Sequence, residues 1–139
     1  MISDQVHNVL TTGIGHIGCA SSSMRPFHAD TLGICCDRQN SKLVCCLNKA
    51  SSKQFIENLN LGSRVSLFVG IISHEAYNLK GDVIDLREVN DHEIETCDEL
   101  RKRIFGLYGE LGIPENLADR YWLKKPNFAV VFSVDKVFV

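Results

Sequence analysis

The chain has no long apolar run, no excess of charge of one sign and no metal-binding spacing, and each absence removes a class of function. No stretch approaches the roughly 20 apolar residues of a membrane span, so no membrane role is expected. Fifteen Lys and Arg face 17 Asp and Glu, a net charge of −2. Such a chain offers no broad basic surface, and nucleic acid is not an expected partner. Met1-Ile2-Ser3-Asp4 is not a basic leader followed by an apolar core, so no secretory signal is expected. There is no CxxC, and His7, His16, His74 and His92 show neither HxH nor HExxH spacing, so no metal is expected. No internal repeat, linker or low-complexity segment is visible.

What is present suits one domain over residues 1–139. A hydrophobic content of 45% supplies a core. The six cysteines are Cys19, Cys35, Cys36, Cys45, Cys46 and Cys97. Two adjacent pairs fall in apparent strands, where neighbouring side chains point to opposite faces. Neither pair can grip one ion as a unit. The cysteines read as small buried apolar residues carrying free thiols in a reducing, cytoplasmic setting.

Ser3 can cap a short helix bearing Val6, Val9 and Leu10, which Gly13 would end. Strands are expected over 15–21, 28–36, 42–47, 64–72 and 77–89, with a last one over 128–139. Val65, Leu67, Val69 and Ile71 share a face of the fourth, and Phe128, Val130, Phe132 and Val134 alternate in the last. Gly81 interrupts the 77–89 strand as a bulge or sharp bend. One helix is expected over 52–61, stopped by Gly62. A longer one opens at Asn90 and carries Cys97, Leu100, Ile104, Leu107 and Leu111 as one apolar stripe. Its acidic first turn and Arg101-Lys102-Arg103 read as solvated faces. A further helical turn is expected over 116–122. Six strands with hairpin-like spacing do not fit regular βαβ alternation. The expected class is mainly β with helices: a six-stranded antiparallel split barrel with helical crossovers.

The most informative junction is Asn48-Lys49-Ala50-Ser51-Ser52-Lys53. The apolar run Leu43–Leu47 precedes it, and Phe55, Ile56 and Leu59 follow at helical spacing. A helix start exposes unpaired N–H groups and a partial positive charge. Lys49 and Lys53 are unfavourable there for the helix alone, but they make sense beside two hydroxyls if an anion, most commonly phosphate, sits among them. The bland alternative is a capped helix with solvated lysines.

Three segments, in order, resemble the FMN-binding split barrels, the group of pyridoxamine 5′-phosphate oxidase. The first is Ser23-Met24-Arg25-Pro26-Phe27-His28-Ala29, similar to a polar loop, Arg-Pro and strand. The second is Leu47 to Lys53 followed by Glu57-Asn58-Leu59 and Arg64-Val65-Ser66-Leu67, similar to the group's strand, Ser-x-Lys phosphate loop, helix and next strand. The third is Tyr77-Asn78-Leu79-Lys80-Gly81-Asp82-Val83, similar to a late strand with its glycine. The resemblance implies FMN in a groove at a homodimer interface. It implies that Ser51, Ser52 and Lys53 hold the phosphate and that Asn48 and Lys49 lie beside the ribityl chain or phosphate. Arg25, Pro26, Phe27, His28 and Ala29 would line the flavin ring, and Trp122 would approach it from the partner subunit. Arg25 or Lys80 would place positive charge near the ring. His28 reads as a groove or core histidine rather than a general base.

The chain stops at Val139 without the Arg- and Trp-bearing C-terminal segment of pyridoxamine 5′-phosphate oxidases. Activity on that vitamin is therefore not expected. What remains is a flavoprotein oxidoreductase acting on a small molecule. The alternatives are a non-enzymatic FMN electron carrier, a barrel of this fold holding haem or another ligand, and an interaction module.

Overall fold

Capping chemistry starts the chain's first element where the sequence puts it. The computed structural model describes residues 2–20, 24–114, 116 and 124–139. Helix α1 spans Asp4–Thr12, and the Ser3 hydroxyl accepts the Val6 N–H. Val6, Val9 and Leu10 are buried, and Gly13 ends the helix. The strands are β1 (Ile14–Ala20), β2 (Pro26–Asp30), β3 (Gly33–Asp37), β4 (Lys42–Leu47), β5 (Arg64–Gly70), β6 (Ala76–Glu88) and β7 (Phe128–Phe138). Helix α2 (Lys53–Glu57) follows β4, and α3 (Asp91–Glu110) follows β6. The seven strands form one antiparallel sheet in the order β2-β1-β5-β6-β7-β4-β3.

The sequence predicts six strands, and the seventh arises from a break inside the expected 28–36 strand. Thr31 N–H donates to Gly15 O on β1 at 3.0 Å, whereas Leu32 N–H donates to Cys46 O on β4 at 2.8 Å. The chain changes hydrogen-bonding partner within one residue. It thereby passes directly from one edge of the sheet to the other, which curls the sheet into a split barrel. The Thr31 hydroxyl also donates to Gly15 O at 3.0 Å, inside the joint.

Inward-facing residues of all the strands fill the barrel. Ile17, Leu43, Cys45, Leu47, Leu67, Val69, Leu79, Val130 and Phe132 are fully shielded, and Phe55 of α2 plugs the same core. A smaller cluster lies outside the sheet, where Cys97, Leu100 and Ile104 of α3 cover Leu32 and Cys46. The expected stripe on α3 stops being buried there, since Leu107 is only half-buried and Leu111 is exposed. Helix α2 is shorter than the predicted 52–61. Asn58 and Leu59 N–H groups turn back onto the Phe55 and Ile56 carbonyls, and the Asn58 amide donates to Gln54 O at 2.7 Å. Such local asparagine bonds compete with continued helix. The predicted turn over 116–122 falls almost wholly outside the described residues.

All six thiols are free, with Cys45, Cys46 and Cys97 buried. Burial, the largest cause, pushes the Cys36 thiol up to about 11, so it is protonated at neutral pH. Helix α3 approaches the sheet at Gly33, where an added Cβ would lie 2.5 Å from Cys97 Sγ. Gly33→Ala is therefore expected to destabilise by about 1–3 kcal/mol through overpacking. Cys97→Ala removes the clashing sulfur and should recover part of that loss. A double-mutant cycle of urea midpoints checks this, with a favourable coupling as the expected result.

Candidate functional site: a recess at the barrel seam

Where the chain crosses between the two sheet edges, the end of β4 and the turn after it face β2. The Asn48 side chain organises that turn. Its Oδ1 accepts the Ser51 N–H at 3.0 Å, and its backbone carbonyl accepts the Ser52 N–H at 3.0 Å. Its Nδ2 donates across to Lys125 O at 2.9 Å. The stretch 124–127 before β7 is tied to the turn twice more. Lys49 N–H donates to Asn127 Oδ1 at 2.7 Å, and Asn127 N–H to Leu47 O at 3.0 Å.

Beside these ties lies a recess of about 120 Å³ lined by His28, Ala29, Asp30, Leu32, Asn48, Ser51, Ser52 and Lys124. Its size suits one compact polar group and excludes a fused three-ring system. Ser52 is 5% exposed and stands at the N-cap position of α2 without a capping side-chain hydrogen bond. Asp30 brings a carboxylate, whose Oδ1 lies 2.6 Å from His16 Nδ1.

Of the residues singled out from sequence, His28, Ala29, Asn48, Ser51 and Ser52 converge on this recess. The two lysines of the turn do not line it. Lys49 Nζ lies over the Phe128 ring, 5.9 Å from its centroid. Lys53 Nζ is 3.9 Å from Glu57 on a 75% exposed side chain. A helix as short as α2 also carries little of the dipole that motivates an anion there. Pro26 and Phe27 lie further along β2, paired with Ala20 and Cys19, and the Arg25 guanidinium sits 5.7 Å from the Phe27 ring centroid. Trp122 lies outside the described residues. Sequence reasoning misses Lys124 and Asp30. Lys124 is 76 positions beyond Asn48, and their proximity shows only in the bonds that tie the 124–127 stretch to the turn.

Beside the recess, the outer face of the sheet presents two registered rows. Asp30, His16, Phe68, Asn78 and Phe138 are successive cross-strand partners from β2 to β7. So are His28, Gly18, Ser66, Lys80 and Lys136. Ser66 and Asn78 are hydrogen-bonded at 2.5 Å, and Lys80 Nζ lies 5.4 Å from the Phe138 ring centroid. Gly18 leaves bare backbone in the middle of the second row.

The same architecture recurs in solved structures. HupZ from Group A Streptococcus matches with a TM-score of 0.60 at 8% identity, over 99% of this chain and 93% of that one. A pyridoxamine 5′-phosphate oxidase candidate from Lactobacillus delbrueckii matches with a TM-score of 0.58 at 15% identity, over 99% and 93%. This chain has the pyridoxamine 5′-phosphate oxidase-like split-barrel fold. An F420 reductase shares that split barrel, with a TM-score of 0.58 at 14% identity over 99% and 98% of the two chains. At these identities the likeness is one of fold. No family model matches the sequence. No curated protein matches it either. Among the described residues, no helix of the split barrel is long and apolar enough to cross a membrane. No group of three or more His, Cys, Asp or Glu among them is placed to hold a metal ion.

Proposed function

We propose that the protein binds FMN and uses it for redox chemistry on a small molecule, as a homodimer. One observation carries this reading. The recess at the seam gathers two serines, an asparagine and a histidine from the segments whose order resembles the FMN-binding split barrels. Its volume of about 120 Å³ accepts a phosphate and leaves the flavin ring outside. The split-barrel fold supports the reading, since an F420 reductase is built on it. Bound flavin would supply the electron and hydride transfer. The protein's part is to fix the phosphate, cover the ring and exclude water.

His28 and Gly18 adjoin the recess on the outer face, and Phe68 (51% exposed) and Phe138 (48% exposed) lie on the same face. A second copy would cover these rings and any flavin lying on this face. Residues of the partner would then complete the site.

FMN titrated into the apo-protein should produce a shifted flavin absorbance and a saturable quench of flavin fluorescence. Sedimentation at micromolar concentration should give a dimer. A colourless protein that leaves added FMN unchanged would overturn the flavin reading. A Soret band in the purified protein would instead mark a haem-binding barrel.

A further inference from the structure

We infer that Lys124, rather than either lysine of the β4–α2 turn, supplies the charge that makes the recess choose a phosphorylated flavin over an unphosphorylated one. This inference rests on the flavin reading above and names the residue that sets its specificity.

Four lysines lie near the turn, Lys49, Lys53, Lys124 and Lys125, the last held there through its backbone carbonyl. Lys49 rests over the Phe128 ring, and Lys53 reaches back along α2 to Glu57. Lys124 alone of the four lines the cavity. Its placement is enforced by backbone rather than by chance contact. Asn48 Nδ2 holds Lys125 O at 2.9 Å, and Asn127 is bonded to both Leu47 and Lys49. The residue that braces Ser51 from within the turn, Asn48, thus also fixes the position of Lys124. Serines and lysine reach the same cavity from segments more than 70 positions apart.

The charge count gives Lys124 its role. Asp30 is the other formally charged group lining the cavity. His16 holds the Asp30 carboxylate at 2.6 Å from the outer face, but the carboxylate still borders the space a phosphate would enter. Without Lys124 the lining would be net negative and would repel a dianion. With Lys124 the ammonium can meet the phosphate while the Ser51 and Ser52 hydroxyls donate to its oxygens. Charge-assisted hydrogen bonds of this kind are the strong ones. Riboflavin ends in a neutral hydroxyl at the same place, so it would gain little from the ammonium.

The experiment compares FMN and riboflavin binding, read by flavin fluorescence, for the wild type, Lys124→Ala, Lys124→Arg and Lys53→Ala. Lys124 is exposed and Lys53 is 75% exposed, so the folds should survive, and far-UV spectra and melting curves verify it. Wild type is expected to prefer FMN. Lys124→Ala should weaken FMN by about ten- to hundredfold and leave riboflavin within about twofold. Lys124→Arg should restore most of the preference, and Lys53→Ala should change FMN affinity by less than about threefold. An FMN-to-riboflavin ratio unchanged in Lys124→Ala, or a Lys53→Ala loss as large as that of Lys124→Ala, overturns the inference while the flavin reading stands. A wild type that binds neither flavin overturns the flavin reading and the inference together.

Discussion

Gly81→Ala should lower the stability of the barrel by about 3–5 kcal/mol, the range of severe core disruptions. A Cβ at this position would lie 1.8 Å from Ser133 O, 2.7 Å from Ser133 C and 3.0 Å from Phe132 Cδ2. Two of those atoms are backbone of the neighbouring strand and the third belongs to a fully buried ring. No rotamer change relieves the clash, so β6 and β7 must separate. The glycine sits at a register shift: Lys80 pairs with Lys136 and Gly81 with Val134, which leaves Asp135 as the extra residue. That bulge turns Asp135 toward Arg64, whose Nη2 lies 2.6 Å from Asp135 Oδ1. Forcing the strands apart would loosen both the ladder and this ion pair. The melting midpoint should fall by roughly 10–20 °C for a chain of this size. Gly106→Ala is the control. Nothing lies within 4 Å of a Cβ there, and the position is inside α3, so it should be neutral or stabilising by up to about 1 kcal/mol. A melting curve for Gly81→Ala that matches wild type would contradict the bulge geometry.

Glu93→Gln should have the second-largest effect, about 2–4 kcal/mol, because it breaks a shielded ion pair. The Glu93 side chain is 4% exposed and receives two bonds from Arg87, at 2.8 Å each. It also accepts the Asn90 N–H at 2.9 Å, while Asn90 Oδ1 accepts the Glu93 N–H, a reciprocal cap at the start of α3. Glutamine can keep the capping geometry, so the substitution isolates the charge. Arg87 is 35% exposed and keeps Asp85 Oδ2 at 3.6 Å from its Nε, which places the loss below that for a fully buried pair left without a partner. The pair also predicts a pH dependence. The Arg87 guanidinium first, and the Asn90 N–H after it, hold the Glu93 carboxyl below its usual value of about 4.5. A carboxyl depressed in the folded state contributes stability above its unfolded value and loses it as pH falls through the folded value. The stability gap between wild type and Glu93→Gln should therefore be constant near neutrality and narrow below about pH 4.5. Urea midpoints measured across that range test this, and parallel curves would show that the charge contributes nothing.

Strand patterning alone makes most of the barrel legible. The alternation in 64–72 and 128–139 marks β5 and β7, Ser3 and Gly13 bracket α1, and Gly81 marks the bulge. The break at Thr31 is not legible. Leu32, Ile34 and Cys36 continue an alternating pattern, and a change of hydrogen-bonding partner leaves no trace in side-chain polarity. Helical spacing overstates the length of α2 because Leu59 falls in phase with Phe55 and Ile56. Its burial is achieved instead just beyond the helix, which ends at Glu57 with Asn58 at the C-cap.

The turn residues of the recess are legible because capping and strand-end chemistry are local. Lys124 is not, since its place depends on a side-chain amide bonding to a distant carbonyl. The lysines that the sequence does bring to the turn reach an aromatic ring and a carboxylate instead. Proximity along the chain is a poor guide to which cation faces the cavity.

Thr31 and Leu32 anchor both sheet edges within one residue, and Leu32 itself lines the cavity. The β2 wall is thereby tied to β4 through the Leu32–Cys46 bond, one residue beyond the Thr31–Gly15 bond, while the β4–α2 turn and Lys124 supply the other walls. A head group entering there meets backbone already held in place by both sheet edges, so little backbone ordering is needed on capture. Size and the Asp30–Lys124 charge balance then decide which head group the recess admits.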